Sequence, residues 1–258
     1  MALKNIKISP NVSIFGIVLF YLLLSGVMML ILFKLENYSF KYVIGFLEIL
    51  LFAIITYFIN IYYFKKINLK PPTLIGINTT LFTGLLIGIL FALIENFPYR
   101  IYALFRTGNF EYLFLAFGAE NLIKALGSGM FEEITFRGTL LNFYNQKNKK
   151  YLGLVISSLI FGLIHISNAY VGTEVSIIYI IYLIIAGLCF GLIYLNFGIV
   201  ASITTHVMSN LLISSFIQPT KYGFYYILGI DIVICVWLFF RDKRKNVNKS
   251  TKANNAYN

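Results

Sequence analysis

The chain has 258 residues and a formal net charge of +11, with 59% hydrophobic and 12% charged residues. Soluble globular proteins average about 45–50% apolar and about 25% charged residues, so this composition excludes an ordinary soluble protein and predicts a largely lipid-facing surface. The basic residues lie mainly between apolar runs and in the carboxy-terminal tail, which favours anionic lipid headgroups over nucleic acid as their partner.

The apolar runs predict an all-α, polytopic membrane helical bundle with about eight transmembrane helices. A spanning helix needs about 20 predominantly apolar residues. The predicted spans are 12–33, 43–63, 73–94, 118–143, 151–171, 176–196, 199–217 and 223–240. We expect a single membrane domain over residues 1–258, with a basic cytoplasmic tail at 241–258.

The segments around these spans carry two further expectations. Residues 95–117, which include Pro98 and Gly108, are expected to form an interfacial stretch between the third and fourth spans. Cys189 and Cys235 lie inside apolar runs, so the sequence predicts packing rather than a disulfide for both.

The distribution of Lys and Arg predicts the orientation. With eight spans, most basic residues fall on one side of the membrane. They are Lys4, Lys7, Lys65, Lys66, Lys70, Lys147, Lys149, Lys150 and the tail cluster. The positive-inside rule therefore predicts a multi-pass protein of the cell membrane with both termini in the cytoplasm.

The fourth span is the least hydrophobic and carries charged residues that a bilayer tolerates poorly. A charge near the bilayer centre costs about 2.5–3.5 kcal/mol on insertion scales. Glu133 and Arg137 are four residues apart in the favourable order for an ion pair on one helix. Glu132 is rotated by about 100° from Glu133, so it needs a different partner.

The two histidines of the chain both lie in apolar spans. Phe161 precedes His165 by one helical turn, and Asn210 follows His206 by one turn, so each pair shares a helix face. Each residue alone also fits helix–helix hydrogen bonding. Together with Glu132, however, they predict one shared polar site formed by three spans.

These stretches resemble the CAAX-protease and bacteriocin-processing family of intramembrane peptidases. The family patterns are EExxxR, then FxxxH, then HxxxN or HxxxD, on successive membrane helices. Here they read Glu132-Glu133-Ile134-Thr135-Phe136-Arg137, Phe161-Gly162-Leu163-Ile164-His165 and His206-Val207-Met208-Ser209-Asn210. The resemblance covers about 130–210, within a family-like core of about 118–217. It implies hydrolysis of a peptide bond inside the membrane without a covalent acyl-enzyme.

The resemblance also implies roles for individual residues. Glu132 would be the general base that deprotonates a water held with the help of His165, while His206 and Asn210 would stabilise the oxyanion. Structural support is implied for three neighbours of these residues. They are Glu133, Arg137 and Phe161.

The metal question stays open at this point. Glu132, His165 and His206 could supply three zinc ligands with an open fourth position. A close-spaced zinc motif such as HExxH is absent from the sequence, which favours a metal-free site without a cofactor. Glu132 cannot be general base and zinc ligand in the same state.

Other functions remain possible from the sequence alone. The leading hypothesis is an endopeptidase that cleaves a membrane-bound peptide or protein. One alternative is a non-catalytic binding protein of the same fold, such as a bacteriocin self-immunity factor. Another is a proton-coupled transporter with a relay of Glu132, His165 and Glu48, although paired inverted repeats are not evident.

Glu48 and Asp231 could also line a substrate path. The sequence does not indicate the substrate or the oligomeric state.

Overall fold

The computed structural model describes residues 9–34, 41–71, 80–108, 119–166, 176–214 and 221–255. Every regular element in these ranges is helical, which confirms the all-α prediction. The helices are α1 Pro10–Lys34, α2 Lys41–Lys66, α3 Thr80–Thr107, α4 Ala119–Glu133, α5 Asn142–Gln146, α6 Lys150–Ile164, α7 Ile177–Phe197, α8 Ile199–Ser214 and α9 Lys221–Asn255. A π-helical segment, Ile134–Leu141, joins α4 to α5.

The third helix is longer than the sequence predicts. It continues through Pro98 to Thr107, so residues 95–107 prolong α3 beyond residue 94, where the predicted span ends. Arg100 explains the extension, because its buried side chain donates to the backbone carbonyl of Leu212 and so holds this part of α3 against α8. The helix ends at Gly108, whose φ of +70° suits glycine. Residues 109–117 lie outside the described ranges.

Two other helix ends differ from the predicted boundaries. Helix α6 ends at Ile164, and His165 is its C-cap residue. The predicted span continues to residue 171, but residues 167–171 lie outside the described part of the chain. Helix α9 continues to Asn255, so most of the predicted tail prolongs a helix. The start of this extension contacts α6, because Nζ of Lys150 lies 2.5 Å from the Asp242 carboxylate.

The burial pattern of the described helices differs from that of a soluble protein on the outside and at a few inside positions. Large apolar side chains are exposed on the outside, for example Phe105 at 83%, Ile177 at 78% and Phe82 at 74%. Charged side chains such as Glu133 and Arg137 are fully buried inside. An apolar exterior around a mainly apolar core that also holds paired charges is what a lipid solvent favours.

Only part of the predicted topology can be read from helix length and composition. Among the described residues, Val43–Lys66 and Ile177–Phe197 are long and apolar enough to cross a membrane. Four shorter apolar stretches accompany them. They are Pro10–Leu24, Phe82–Ile94, Lys150–Ile164 and Ile199–Leu212. Two candidate spans do not confirm the predicted number of eight.

Glycines allow the helices that carry the three motifs to approach closely. A Cβ at Gly162 on α6 would lie 3.0 Å from the amide nitrogen of Ile184 and 3.2 Å from the carbonyl oxygen of Ile180, both on α7. A Cβ at Gly129 on α4 would lie 3.2 Å from the amide nitrogen of Val207 on α8. Because these atoms are backbone, only glycine permits the observed helix separations.

Candidate active site

Three helices bring Glu132, His165 and His206 to one point. Glu132 lies in the last turn of α4, His165 at the C-terminal end of α6 and His206 in the middle of α8. The Oε2 atom of Glu132 is 3.8 Å from Nε2 of His165 and 3.9 Å from Nε2 of His206. Residues separated by more than 70 positions along the chain therefore share one site.

The separations leave room for a small ligand between these side chains. Hydrogen bonds of this type need about 2.7–3.2 Å, so Glu132 does not bond either imidazole directly. Its Oε2 atom is buried and has no hydrogen-bond partner in the described part of the chain. Buried polar atoms in such a position generally bind an ordered water. The arrangement is therefore suited to a water that contacts Glu132 and both rings.

The hydrogen bond of His165 determines which of its nitrogens faces that water. Nδ1 lies 2.7 Å from the backbone carbonyl oxygen of Phe161, one turn earlier on the same helix. A carbonyl can only accept, so Nδ1 carries the hydrogen. In the neutral ring Nε2 is then an acceptor that points towards Glu132.

The other imidazole is oriented by a buried carboxylate. Nδ1 of His206 lies 3.0 Å from Oε1 of Glu133, and the same oxygen accepts from Nη1 of Arg137 at 2.7 Å. The hydroxyl of Ser202 also bonds to Glu133. A carboxylate paired with a guanidinium accepts rather than donates, so Nδ1 of His206 is protonated. Nε2 is therefore an acceptor in the neutral ring and a donor only in the imidazolium.

The ion pair predicted from the spacing of Glu133 and Arg137 is present and fully buried. Nη2 of Arg137 also donates to the carbonyl oxygen of Gly187 on α7, at 2.7 Å. Its guanidinium lies 4.7 Å from the centre of the Phe161 ring and 5.6 Å from that of Phe190. One side chain thus connects α4, α6 and α7 around the site, and loss of one partner of such a pair costs about 3–5 kcal/mol.

The helix changes its geometry immediately after the two glutamates. Residues Ile134–Leu141 form a π-helix, which the sequence reading did not predict. The hydroxyl of Thr139 lies 3.0 Å from the carbonyl oxygen of Ile134, five residues earlier, and 3.1 Å from Oδ1 of Asn60 on α2. π-helical turns are frequent at functional sites because they re-aim neighbouring side chains.

Asn210 lies one turn beyond His206 and contacts a different residue of α4. Its Nδ2 donates to the hydroxyl oxygen of Ser128 at 2.9 Å, the one hydrogen bond that the structure gives this side chain among the described residues. Ser128 lies four residues before Glu132 on α4, and Asn210 lies four residues after His206 on α8. Two levels of polar contact therefore connect α4 and α8, one turn apart.

Four residues around the site were missed by the sequence reading. They are Ser128, Gly187, Phe190 and Ser202. Ser128 and Ser202 each precede a motif residue by four positions, so helical spacing alone could have pointed to them. Gly187 contributes a backbone carbonyl and Phe190 stacks on the ring of His206 at 4.6 Å, and neither carries a recognisable pattern.

The alternative zinc site that the sequence left open does not fit the side chains as they are placed. Nitrogen and oxygen ligands of a tetrahedral zinc, at about 2.0–2.1 Å from the metal, lie about 3.3 Å apart. The separations of 3.8 and 3.9 Å around Glu132 are wider. In the described ranges no group of three His, Cys, Asp or Glu side chains is placed to hold a metal ion.

The acidic residues outside the motifs are placed on other helices. Glu48 lies on α2, and its buried Oε2 has no hydrogen-bond partner in the part of the chain that the structure describes. Asp231 is buried on α9.

Comparison with known families identifies the segment that holds this site. Residues 115–212 match the family model described as type II CAAX prenyl endopeptidase, Rce1-like. This segment is Rce1-like. The match confirms the resemblance to the CAAX-protease family, and it includes Glu132, His165, His206 and Asn210.

The Rce1-like match supports two coarser conclusions. The family consists of membrane-embedded peptidases, and the two long apolar helices agree with a membrane location. The match supports a peptidase but does not show the catalytic type. The comparison with curated proteins found no match, and the comparison with solved structures found none either.

Proposed function

We propose that the protein is an intramembrane endopeptidase that hydrolyses a peptide bond in a membrane-associated peptide or protein. The observation that carries this proposal is the position of Glu132. Its buried and unpaired Oε2 lies between the Nε2 atoms of His165 and His206. A carboxylate in such a position can take a proton from a water that the imidazole of His165 orients.

The membrane arrangement is part of the same proposal. About eight helices would cross the bilayer, with both termini in the cytoplasm and anionic headgroups at the basic loops. The apolar exterior supports this arrangement, because the exposed Phe and Ile side chains would be unfavourable in water. The buried site would then be surrounded by protein within the membrane.

The reaction follows from the protonation of the two rings. Nε2 of neutral His165 accepts a hydrogen bond from the water, and Glu132 removes the other proton as the oxygen attacks the peptide carbonyl. The carbonyl oxygen becomes an oxyanion in a tetrahedral intermediate. Glu132 then gives its proton to the amide nitrogen, the carbon–nitrogen bond breaks, and the products are a carboxylic acid and an amine. No acyl-enzyme forms.

The oxyanion is stabilised by groups on α8. Nδ1 of His206 is already bound to Glu133, so Nε2 is the nitrogen that can face the oxyanion, and it donates there when the ring is an imidazolium. Asn210 has a second N–H that is not used by its bond to Ser128. A single oxyanion donor is worth about 10²–10³ in turnover.

Activation of the water by the carboxylate alone, without zinc, is also part of the proposal. The side-chain separations around Glu132 support it, because they are wider than zinc ligation requires. The donor set of two imidazoles and one carboxylate would itself be chemically acceptable to zinc, so metal removal is a direct test.

The decisive experiment is peptide cleavage by purified protein in detergent, followed by mass spectrometry. We expect Glu132→Gln to abolish product formation from membrane peptides that the wild type cleaves. Glu48→Gln is the matched control, because it also neutralises an unpaired acid on a bundle helix but lies outside the site. Equal product from wild type and Glu132→Gln would refute the proposal.

The same variants separate the alternative functions. A binding protein such as an immunity factor would keep its protective effect in Glu132→Gln cells at equal abundance. A proton-coupled transporter with a Glu48 relay would lose gradient-driven uptake into proteoliposomes in Glu48→Gln, while the proposed peptidase would remain active.

A further inference from the structure

The hydrogen bonds around Ser128 fix the orientation of the Asn210 amide. The Ser128 hydroxyl lies 2.9 Å from the carbonyl oxygen of Lys124, one turn earlier on α4, and a carbonyl can only accept. The single hydroxyl hydrogen is therefore directed to Lys124, and the hydroxyl oxygen remains as an acceptor. Asn210 must present its NH₂ group, rather than its carbonyl, to that oxygen at 2.9 Å.

We infer that Ser128 is a positioning residue that holds the Asn210 amide with an N–H available to the oxyanion of the substrate. This inference rests on the proposed peptidase function. Ser128 and Glu132 are four residues apart on α4, and Asn210 and His206 are four apart on α8, so the two contacts are about 6 Å apart along the helices. In this inference the oxyanion lies between the two levels, next to His206 and Asn210.

The orientation matters because the side-chain amide has a hydrogen-bond donor, its NH₂ group, and a hydrogen-bond acceptor, its carbonyl oxygen. One N–H of Asn210 is used by Ser128, and the second has no partner among the described residues. A rotation of 180° about the terminal torsion would exchange Nδ2 and Oδ1 at nearly equal steric cost. The rotated amide would direct a carbonyl dipole at the oxyanion and would repel it. Ser128 prevents that rotation, because its hydroxyl oxygen can accept but its hydrogen is directed elsewhere.

The test measures kcat and KM of cleavage for variants at the two positions. Ser128→Ala should lower kcat about tenfold, which is less than the loss of a whole oxyanion donor. KM should stay close to that of the wild type, because the oxyanion exists only after the substrate has bound. Ser128→Thr keeps the hydroxyl and should restore kcat. Asn210→Ala should lower kcat by about 10²–10³.

The double variant Ser128→Ala/Asn210→Ala distinguishes positioning from a separate structural role. If Ser128 acts through Asn210, the double variant should have the kcat of Asn210→Ala alone, since the first change has nothing left to orient. Ser157→Ala is the matched control, because the one hydrogen bond that the described residues give that buried hydroxyl goes to the carbonyl of Leu154 on its own helix. It should leave kcat unchanged.

Three results would overturn the inference. They are a wild-type kcat in Ser128→Ala, additive losses in the double variant, and no recovery in Ser128→Thr. Thermal unfolding of each variant checks the fold. If Ser128→Ala does not fold, Ser128→Cys, whose thiol accepts weakly, should show the same selective loss of kcat. Failure of the proposed function is a different result, because Glu132→Gln would then cleave as the wild type does.

Discussion

The close approach of α4 and α8 at Gly129 gives a sharp prediction about the site. A Cβ added there would lie 2.6 Å from Cγ2 of Val207, and 3.3 Å from its Cα. An ordinary contact between carbon atoms needs about 3.5–4.0 Å, so either Val207 or the whole of α8 must move by up to about 1 Å. Val207 is buried and β-branched, so its side chain has little freedom to turn away.

The energetic effect of Gly129→Ala has two opposing contributions. Overpacking of a tight core costs about 1–3 kcal/mol. Replacement of glycine by alanine inside a helix gains about 1 kcal/mol. The free energy of unfolding should therefore fall by about 0–2 kcal/mol, a modest change. The activity should fall much further, because a misplacement of about 1 Å at reacting groups can cost 10²-fold in rate.

Gly127→Ala is the matched control two residues earlier on the same helix. A Cβ at Gly127 would meet only side-chain atoms of Ile49, at 3.5 Å, which is ordinary contact. We expect this variant to keep wild-type kcat and to be more stable by up to about 1 kcal/mol. Thermal unfolding in detergent and peptide cleavage are the two assays. Equal kcat for the two variants would refute the expectation that a Cβ at Gly129 displaces His206 from Glu132 and so lowers the activity.

Three other predictions follow from the contacts of the described residues. Dialysis against a zinc chelator should leave cleavage unchanged, and a loss that zinc restores would contradict the metal-free proposal. Arg137→Lys should lower the free energy of unfolding by about 1–3 kcal/mol. The reason is that an ammonium group cannot make the two hydrogen bonds of the guanidinium, to Glu133 and to the carbonyl of Gly187, in the same geometry. An unchanged thermal unfolding temperature would contradict this. Lys150→Met removes a charged partner of Asp242 and should lower the free energy of unfolding by about 1.5–3 kcal/mol. Thermal unfolding measures this change, and kcat should stay the same.

The helical fold could be predicted from the sequence, but helix boundaries could not. The apolar runs predict the helices because each run is long enough to bury its backbone hydrogen bonds locally. The predicted third span ends at residue 94, yet the helix continues through Pro98 and ends only at Gly108. The helix continues beyond Pro98 because Arg100 donates a hydrogen bond to Leu212. This is a tertiary contact, which local sequence patterns cannot predict.

In the candidate site, too, contacts within one helix could be predicted from the sequence and contacts between helices could not. The pairing of Glu133 with Arg137 follows from a spacing of four on one helix and could be predicted directly. The bond between Glu133 and His206 could not, because the two residues are 73 positions apart and their contact depends on how α4 packs against α8.

The sequence by itself determined which residues are chemically unusual for a membrane helix: an unpaired acid, two imidazoles and an amide among apolar residues. Hydrophobicity and helical periodicity are local properties, so they can be read directly from the chain. The tertiary structure alone decided that Glu132 faces both histidines and that Ser128 holds Asn210. Those contacts depend on the angstrom-scale approach of helices at glycines such as Gly129, and helix packing of that kind has no local signal in the sequence.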